Sequence, residues 1–168
     1  DHYKGCDRVI RALPQVLTEF PSARYEVVGE GPLRGELEDL ARRLGVGHAV
    51  GFHGYLDEDE LERVYSRSHI LVMPSTGEGF GIVYLEAWRH GVPVVAGNRD
   101  AGAEVVTDGV DGLCVDPYSV EQVARALISL LSDPERAAAM GRRGYQTLMA
   151  KYTHAHFREN LGHILGAI

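Results

Sequence analysis

The stretch Pro93-Val94-Val95-Ala96 is apolar at every position and ends in the polar loop Gly97-Asn98-Arg99-Asp100. A strand with one face in water alternates apolar and polar residues, whereas a strand without that alternation is covered on both faces. Ile70 to Met73 is a second run of this kind, and Tyr25 to Val28, Val50 to His53 and Leu113 to Val115 read as further short strands. Segments with helical spacing of apolar residues lie between them. Short buried strands alternating with helices predict an α/β fold, a doubly wound parallel sheet of Rossmann-like type. Ligands of such sheets bind off the carboxyl ends of the strands. The loops at Gly29, Gly54, Ser75 and Gly97 leave those ends.

The helices have readable ends. Val9, Ile10, Leu13, Val16, Leu17 and Phe20 share one face of a segment that opens at Asp7 and closes at Pro21, with Pro14 expected to bend it or mark a boundary. A second helix is expected over roughly 33 to 44. Asp57-Glu58-Asp59-Glu60 and Ser119-Val120-Glu121-Gln122 both have the spacing of a capping box. Asp133 precedes Pro134, a residue tolerated in the first turn. A helix is expected to open near Phe80 and run to the His90-Gly91 stop, a short helix is expected around Ala103 to Thr107, and Thr153 is expected to cap a last helix with Phe157, Leu161, Ile164 and Leu165 on one face.

The chemistry concentrates in Pro74-Ser75-Thr76-Gly77-Glu78-Gly79-Phe80-Gly81-Ile82-Val83-Tyr84-Leu85-Glu86. A strand, a glycine-rich loop and a helix start follow one another. Such a junction aims unpaired N–H groups and the positive end of the helix dipole at one place, which suits a phosphate. Glu78 lies in the loop, and Glu86 lies in a helix otherwise built of apolar residues, where a carboxylate needs a partner. The residues alone leave blander readings open. The loop also fits an ordinary glycine turn, and Glu86 also fits a pair with Arg89, worth a few tenths of a kcal/mol. Gly29-Glu30-Gly31 runs into Pro32 and lacks a third glycine, so it makes a poor dinucleotide fingerprint.

With 168 residues and 45% hydrophobic content, the chain is sized for one domain, 1–168. A net charge of −7 opposes a nucleic-acid partner or an anionic membrane surface. Lysine occurs only at Lys4 and Lys151. Cys6 and Cys114 have no metal-ligand spacing, the eight histidines are scattered, and no stretch reads as a membrane span or leader, so a cytoplasmic setting is the expectation. The opening Asp1-His2-Tyr3-Lys4-Gly5, without an initiator methionine or a first strand, reads as part of something longer.

Taken in order, Lys4-Gly5, Val28-Gly29-Glu30-Gly31-Pro32, Phe52-His53-Gly54, Pro74-Ser75, Glu78-Gly79-Phe80-Gly81 with Glu86, Gly91-Val92-Pro93-Val94-Val95-Ala96, Glu104-Val105-Val106 and Asp108-Gly109 form a set. The set resembles the C-terminal, donor-binding domain of family 4 retaining glycosyltransferases, one half of the two-domain GT-B fold, across nearly the whole chain. The resemblance implies a nucleoside diphosphate sugar as donor substrate, no cofactor and no metal. It also implies an acceptor-binding N-terminal domain outside this sequence, through which any membrane contact would run.

Lys4, with the backbone N–H groups of Gly81 and Ile82, corresponds to the diphosphate-binding set. Neutralising that group matters because the leaving nucleotide gains charge as the sugar departs. Glu78, Gly79 and Phe80 correspond to the donor-sugar contacts, Glu86 to the ribose-binding glutamate, and Gly29, Tyr55 and Leu56 to the surroundings of the base. Glu78 and Lys4 are the expected catalytic pair. Two departures stand out. The arginine that family members carry before the lysine is not in this sequence, and Asp100-Ala101-Gly102-Ala103-Glu104 replaces the usual Gly-Gly-x-Pro-Glu.

The expected activity is transfer of a hexosyl group to an acceptor hydroxyl with retention, the isolated domain being inactive. Three other readings compete. A non-catalytic nucleotide-sugar-binding module would keep the pocket. Another GT-B enzyme, such as a nucleotide-sugar epimerase or a phosphorylase, would lack the glutamate pair. A purely structural α/β domain would make the ordered motif set a coincidence.

Overall fold

A computed structural model describes residues 4–152. The helix expected after Thr153 lies outside them. In chain order the elements are α1 (Cys6–Glu19), β1 (Tyr25–Val28), α2 (Arg34–Arg43), a 3-10 turn (Gly47–Ala49), β2 (Val50–Gly54), α3 (Glu58–Arg67), β3 (Leu71–Met73), α4 (Ile82–Arg89), β4 (Val94–Gly97), α5 (Gly102–Val105), β5 (Gly112–Val115), α6 (Val120–Leu131) and α7 (Pro134–Lys151).

Every strand pairing is parallel, as expected. Val95 of β4 lies between Val72 of β3 and Leu113 of β5, and Ala96 lies between Met73 and Cys114. Because side chains alternate along a strand, β4 serves two cores at once. Val95 packs with Val9, Val16, Val123 and Leu130 of α1 and α6. Val94 and Ala96 point the other way, into a core with Tyr84, Ala87 and Trp88 of α4. Helices on both faces make the sheet doubly wound.

The ladder is split, however. β1 pairs with β2, and β3, β4 and β5 form a second sheet. Among the described residues no strand stands between β1 and β3. The two parts share a roof in α1, whose Val9, Ala12 and Val16 belong to the core over β4 while Ile10 and Leu13 join Leu40, Ala41 and Val46 beside β1 and β2.

Two local expectations need correction. α1 runs through Pro14 to Glu19, so the proline is no boundary. Pro14 sits on the exposed side of the helix, where water can replace the N–H that proline lacks. Ser119 caps α6 by accepting the Gln122 N–H at 3.2 Å. The Gln122 side chain does not close a box with it, and reaches further back to accept the Asp116 N–H at 2.9 Å. Asp57 and Glu60 do form the reciprocal box, at 2.8 and 3.2 Å. Asp133 caps α7 through the Arg136 N–H.

Buried polar bonds lock the helices around the second sheet. The Tyr84 hydroxyl donates to the Met73 carbonyl at 3.0 Å, which ties α4 to the end of β3. Trp88 Nε1 donates to the Asp111 carbonyl at 3.0 Å. The Asp111 carboxylate, 1% exposed, accepts the Thr107 N–H at 2.7 Å and the Thr147 hydroxyl at 2.9 Å, fastening α7 to the turn before β5.

Candidate functional site

The loops after β1, β2, β3 and β4 leave the carboxyl ends of their strands. The one after β3 begins in the interior, with Pro74 and Ser75 fully buried, and reaches the surface at Gly77, Gly79 and Phe80. Gly81 closes it at φ +79°, a left-handed conformation in which a side chain is strained, and a Cβ there would run into the Tyr84 ring. α4 follows at once, so its first N–H groups open beside the loop.

Lys4 directly precedes Gly5. Gly5, at φ +77°, lies so close to the Pro74 carbonyl that a Cβ would overlap it. That close approach seats the start of α1 on the end of β3, at the start of the loop that leads to α4. The contact between Gly5 and Pro74 joins residues sixty-nine positions apart in sequence.

Asp100, on the loop after β4, organises the loop from the other side. Its Oδ2 accepts both the Ser75 hydroxyl and the Glu78 N–H, the latter at 2.8 Å, and its Oδ1 accepts the Gly102 N–H at 2.9 Å. Ala101 N–H adds a bond to the Glu78 carbonyl at 3.3 Å. One carboxylate thus holds the loops after β3 and β4 together. From sequence alone Asp100 is a residue of the polar loop after Ala96 and the first of the departures from Gly-Gly-x-Pro-Glu, with no sign of this role.

Glu78 Oε1 accepts the Gly81 N–H at 3.2 Å, so this carboxylate turns back on its own loop and holds an amide at the start of α4. Glu86 accepts the Tyr65 hydroxyl of α3 at 2.8 Å. The alternative pairing with Arg89 is not formed, as Arg89 lies 3.6 Å from Glu62. Ile82 and Glu86 are one turn apart and share a face of α4. Ile82 is 63% exposed there, and Phe80 is 46% exposed beside it, its ring edge-on to Tyr152.

Burial, then the hydrogen bond to Glu86 and that carboxylate's charge, push the Tyr65 hydroxyl well above its ordinary pKa. Tyr84 is raised likewise, first by burial and then by the Asp100 charge. Both phenols are therefore neutral donors at neutral pH.

The three base candidates form a second set. The Gly29 N–H donates to the Gly54 carbonyl at 2.7 Å, which brings Gly29 beside Tyr55, itself 78% exposed, and half-buried Leu56. α3 links the sets, since it starts just beyond Leu56 and carries Tyr65 to Glu86. Arg34, absent from the sequence reading, donates to the Phe52 carbonyl at 3.3 Å with its guanidinium over the Phe52 ring. Glu104 is exposed on α5. Among the described residues no group of three His, Cys, Asp or Glu side chains is arranged to hold a metal, and no helix is long and apolar enough to cross a membrane.

A parallel α/β sheet with its polar loops at the strand ends and a glycine-rich helix start among them defines a nucleotide-binding class of domain. Comparison with known proteins places it further. The family described as glycosyl transferases group 1 matches residues 1–147, and the chain belongs to that family. A GDP-mannose-dependent alpha-(1-6)-phosphatidylinositol monomannoside mannosyltransferase of Mycolicibacterium smegmatis is 40% identical over 148 residues, which is 84% of this chain and 39% of that protein. The chain therefore spans about two fifths of the length of this relative.

Among solved structures, the C-terminal domain of a glycosyl transferase group 1 family protein from Francisella tularensis superposes with a TM-score of 0.83 at 30% identity, covering 92% of this chain and 82% of that one. Anabaena HepE, crystallised with UDP, gives a TM-score of 0.90 at 23% identity over 100% of this chain and 46% of its own, a likeness of fold. The resemblance drawn from the motifs and the expected fold class are both borne out.

Proposed function

We propose that the chain is the donor-binding half of a retaining glycosyltransferase, which moves a hexosyl group from a nucleoside diphosphate sugar to an acceptor hydroxyl. The observation that carries this reading is the seating of Gly5 on the Pro74 carbonyl, at the start of the glycine-rich loop that leads to α4; Lys4 is the residue before Gly5. A lysine and a helix N-terminus converging on one place suit a diphosphate that gains charge as it leaves.

In this reading Lys4 and the Gly81 and Ile82 amides take the diphosphate. Glu78, Gly79 and Phe80 take the sugar, Glu86 takes the ribose, and Gly29, Tyr55 and Leu56 surround the base. When a donor enters, its phosphate displaces the Glu78 carboxylate from the Gly81 N–H. Glu78 is then released toward the sugar, where it orients the hydroxyls and stabilises positive charge at the ring without attacking it. The acceptor approaches from the face the diphosphate leaves, and the departing phosphate oxygen removes its proton. The bond from the anomeric carbon to the phosphate oxygen breaks as the bond to the acceptor oxygen forms, so configuration is kept.

The acceptor is held by an N-terminal domain of a longer cytoplasmic protein, and any membrane contact runs through that domain. GDP-mannose, named for the Mycolicibacterium relative, is the first donor to try, and UDP, crystallised with the Anabaena protein, is the second nucleotide to try. The test is incubation of the full-length protein with GDP-mannose, other nucleotide sugars and candidate acceptors, with the product's anomeric configuration read by NMR. The expected product has the donor's configuration. Inversion contradicts the retaining mechanism, and binding of donors without transfer to any acceptor favours a non-catalytic module. The chain of 168 residues alone is expected to bind nucleotide weakly and transfer nothing.

A further inference from the structure

We infer that Tyr65 is a positioning residue for ribose recognition, holding the Glu86 carboxylate in the orientation in which it receives the ribose hydroxyls of the donor. The inference rests on the assignment of Glu86 to the ribose and adds a residue of a different helix to that site.

Three observations support it. First, the Tyr65 hydroxyl donates to Glu86 Oε2 at 2.8 Å, from α3 to α4 across twenty-one positions of sequence. A glutamate side chain on a helix surface has several rotamers, and a bond from a fixed neighbour selects among them. Second, Tyr65 is itself fixed. Its residue is 9% exposed and packs in the core of Tyr84, Ala87 and Trp88, and its ring stacks on His90 with centroids 5.4 Å apart and planes 10° from parallel. Third, the bond engages Oε2, and a carboxylate has about four acceptor sites. Oε1 can therefore accept hydroxyls while Oε2 stays bound to the phenol. Glu86 is half-buried and lies on the same face of α4 as exposed Ile82, which leaves it open to a ligand at that end of the helix.

The arrangement matches the need of a ribose site. A hydroxyl pair is recognised against a sugar lacking it only if the acceptor is already in place, because a carboxylate that must be ordered on binding gives back part of the affinity. Tyr65 supplies that order before the ligand arrives. It keeps its proton throughout, since its role is to donate.

The test is calorimetric titration of the chain with GDP, UDP and ADP and with their 2′,3′-dideoxy counterparts, for the unaltered protein, Tyr65→Phe, Glu86→Ala and the double variant. Phenylalanine retains the ring and its stack on His90, and thermal melting checks that each variant is folded. The unaltered chain is expected to prefer the ribonucleotide by about tenfold, the size of a hydrogen bond to a charged group. Tyr65→Phe should remove most of that preference while leaving the dideoxy affinity as it was, and the double variant should match Glu86→Ala, since the tyrosine acts through the glutamate.

Equal weakening of both ligands by Tyr65→Phe, or an unchanged preference, overturns the positioning role and leaves the donor site standing. Equal binding of ribose and dideoxyribose forms by the unaltered chain removes the ribose role of Glu86 and this inference with it. Absence of binding by all three nucleotides overturns the donor reading as a whole.

Discussion

The Asp100 carboxylate receives the backbone N–H of Glu78 at 2.8 Å, so a residue after β4 sets the position of the acidic loop after β3. Asp100→Ala leaves the Ser75 hydroxyl, the Glu78 N–H and the Gly102 N–H without their acceptor. The expected cost is about 2 to 3 kcal/mol, because Ser75 is fully buried and the lost acceptor is charged. Nucleotide affinity should fall as well, since the loop leading to Gly81 loses its tether. Urea unfolding beside calorimetry separates the two effects. Stability within about 0.5 kcal/mol of the parent would show that the tether is dispensable.

Gly5→Ala tests the close approach of Gly5 to Pro74, next to Lys4. The alanine must adopt a left-handed backbone and also displace the Pro74 carbonyl. A loss of about 2 kcal/mol is expected from strain and crowding together, with weaker nucleotide binding than in the parent. A variant that binds as well as the parent would show that Lys4 does not depend on this seating.

Asp111 supports the fold away from the loops. Asp111→Ala strands the Thr107 N–H and the Thr147 hydroxyl in a site 1% exposed. About 3 kcal/mol of stability should be lost, the cost of breaking a buried charged hydrogen-bond pair. Nucleotide affinity, measured where the variant remains folded, should be unchanged. A marked fall in affinity at full folding would connect α7 to the donor site.

Cys114 gives a pH dependence. Burial, with Asp108 and Asp111 nearby, pushes its thiol up to about 11 from the ordinary 9.0. Above the ordinary value the unfolded chain ionises this thiol while the folded chain keeps it neutral. Stability is therefore fully present below about pH 9 and declines as pH rises toward about 11. Cys114→Ala should make that part of the alkaline decline shallower in pH-dependent denaturant titrations. An identical slope in parent and variant would contradict the assignment.

Much of this was legible because local chemistry and global fold agree. Val94 to Ala96 carry no polar residue because two cores claim them, and Asp57 with Glu60 form the box their spacing announces. Glu78, Gly81 and Glu86 could be singled out because a glycine-rich helix start and an acid in an apolar helix are local anomalies. Tyr65 and Asp100 had no such mark. A tyrosine in an amphipathic helix reads as core, and its reach to Glu86 depends on how α3 lies against α4. Asp100 reads as a loop residue until Ser75 is brought to it. The split between β1 and β3 was also hidden, since strand neighbours follow from tertiary packing and not from any one strand's composition. Gln122 shows the limit of motif spacing, for its amide found the Asp116 N–H in place of the cap.

The central claim, that a nucleoside diphosphate is bound by Lys4 and the start of α4, is tested most directly by NMR titration of the nitrogen-15-labelled chain with GDP, UDP and ADP. The account predicts that the bound nucleotide shifts the amide signals of Gly79 to Ile82 most strongly, Gly81 foremost as Glu78 releases it, and that Lys4→Ala weakens the binding that causes the shift. Nucleotide binding that leaves these amides unmoved, or that is indifferent to Lys4→Ala, would contradict it.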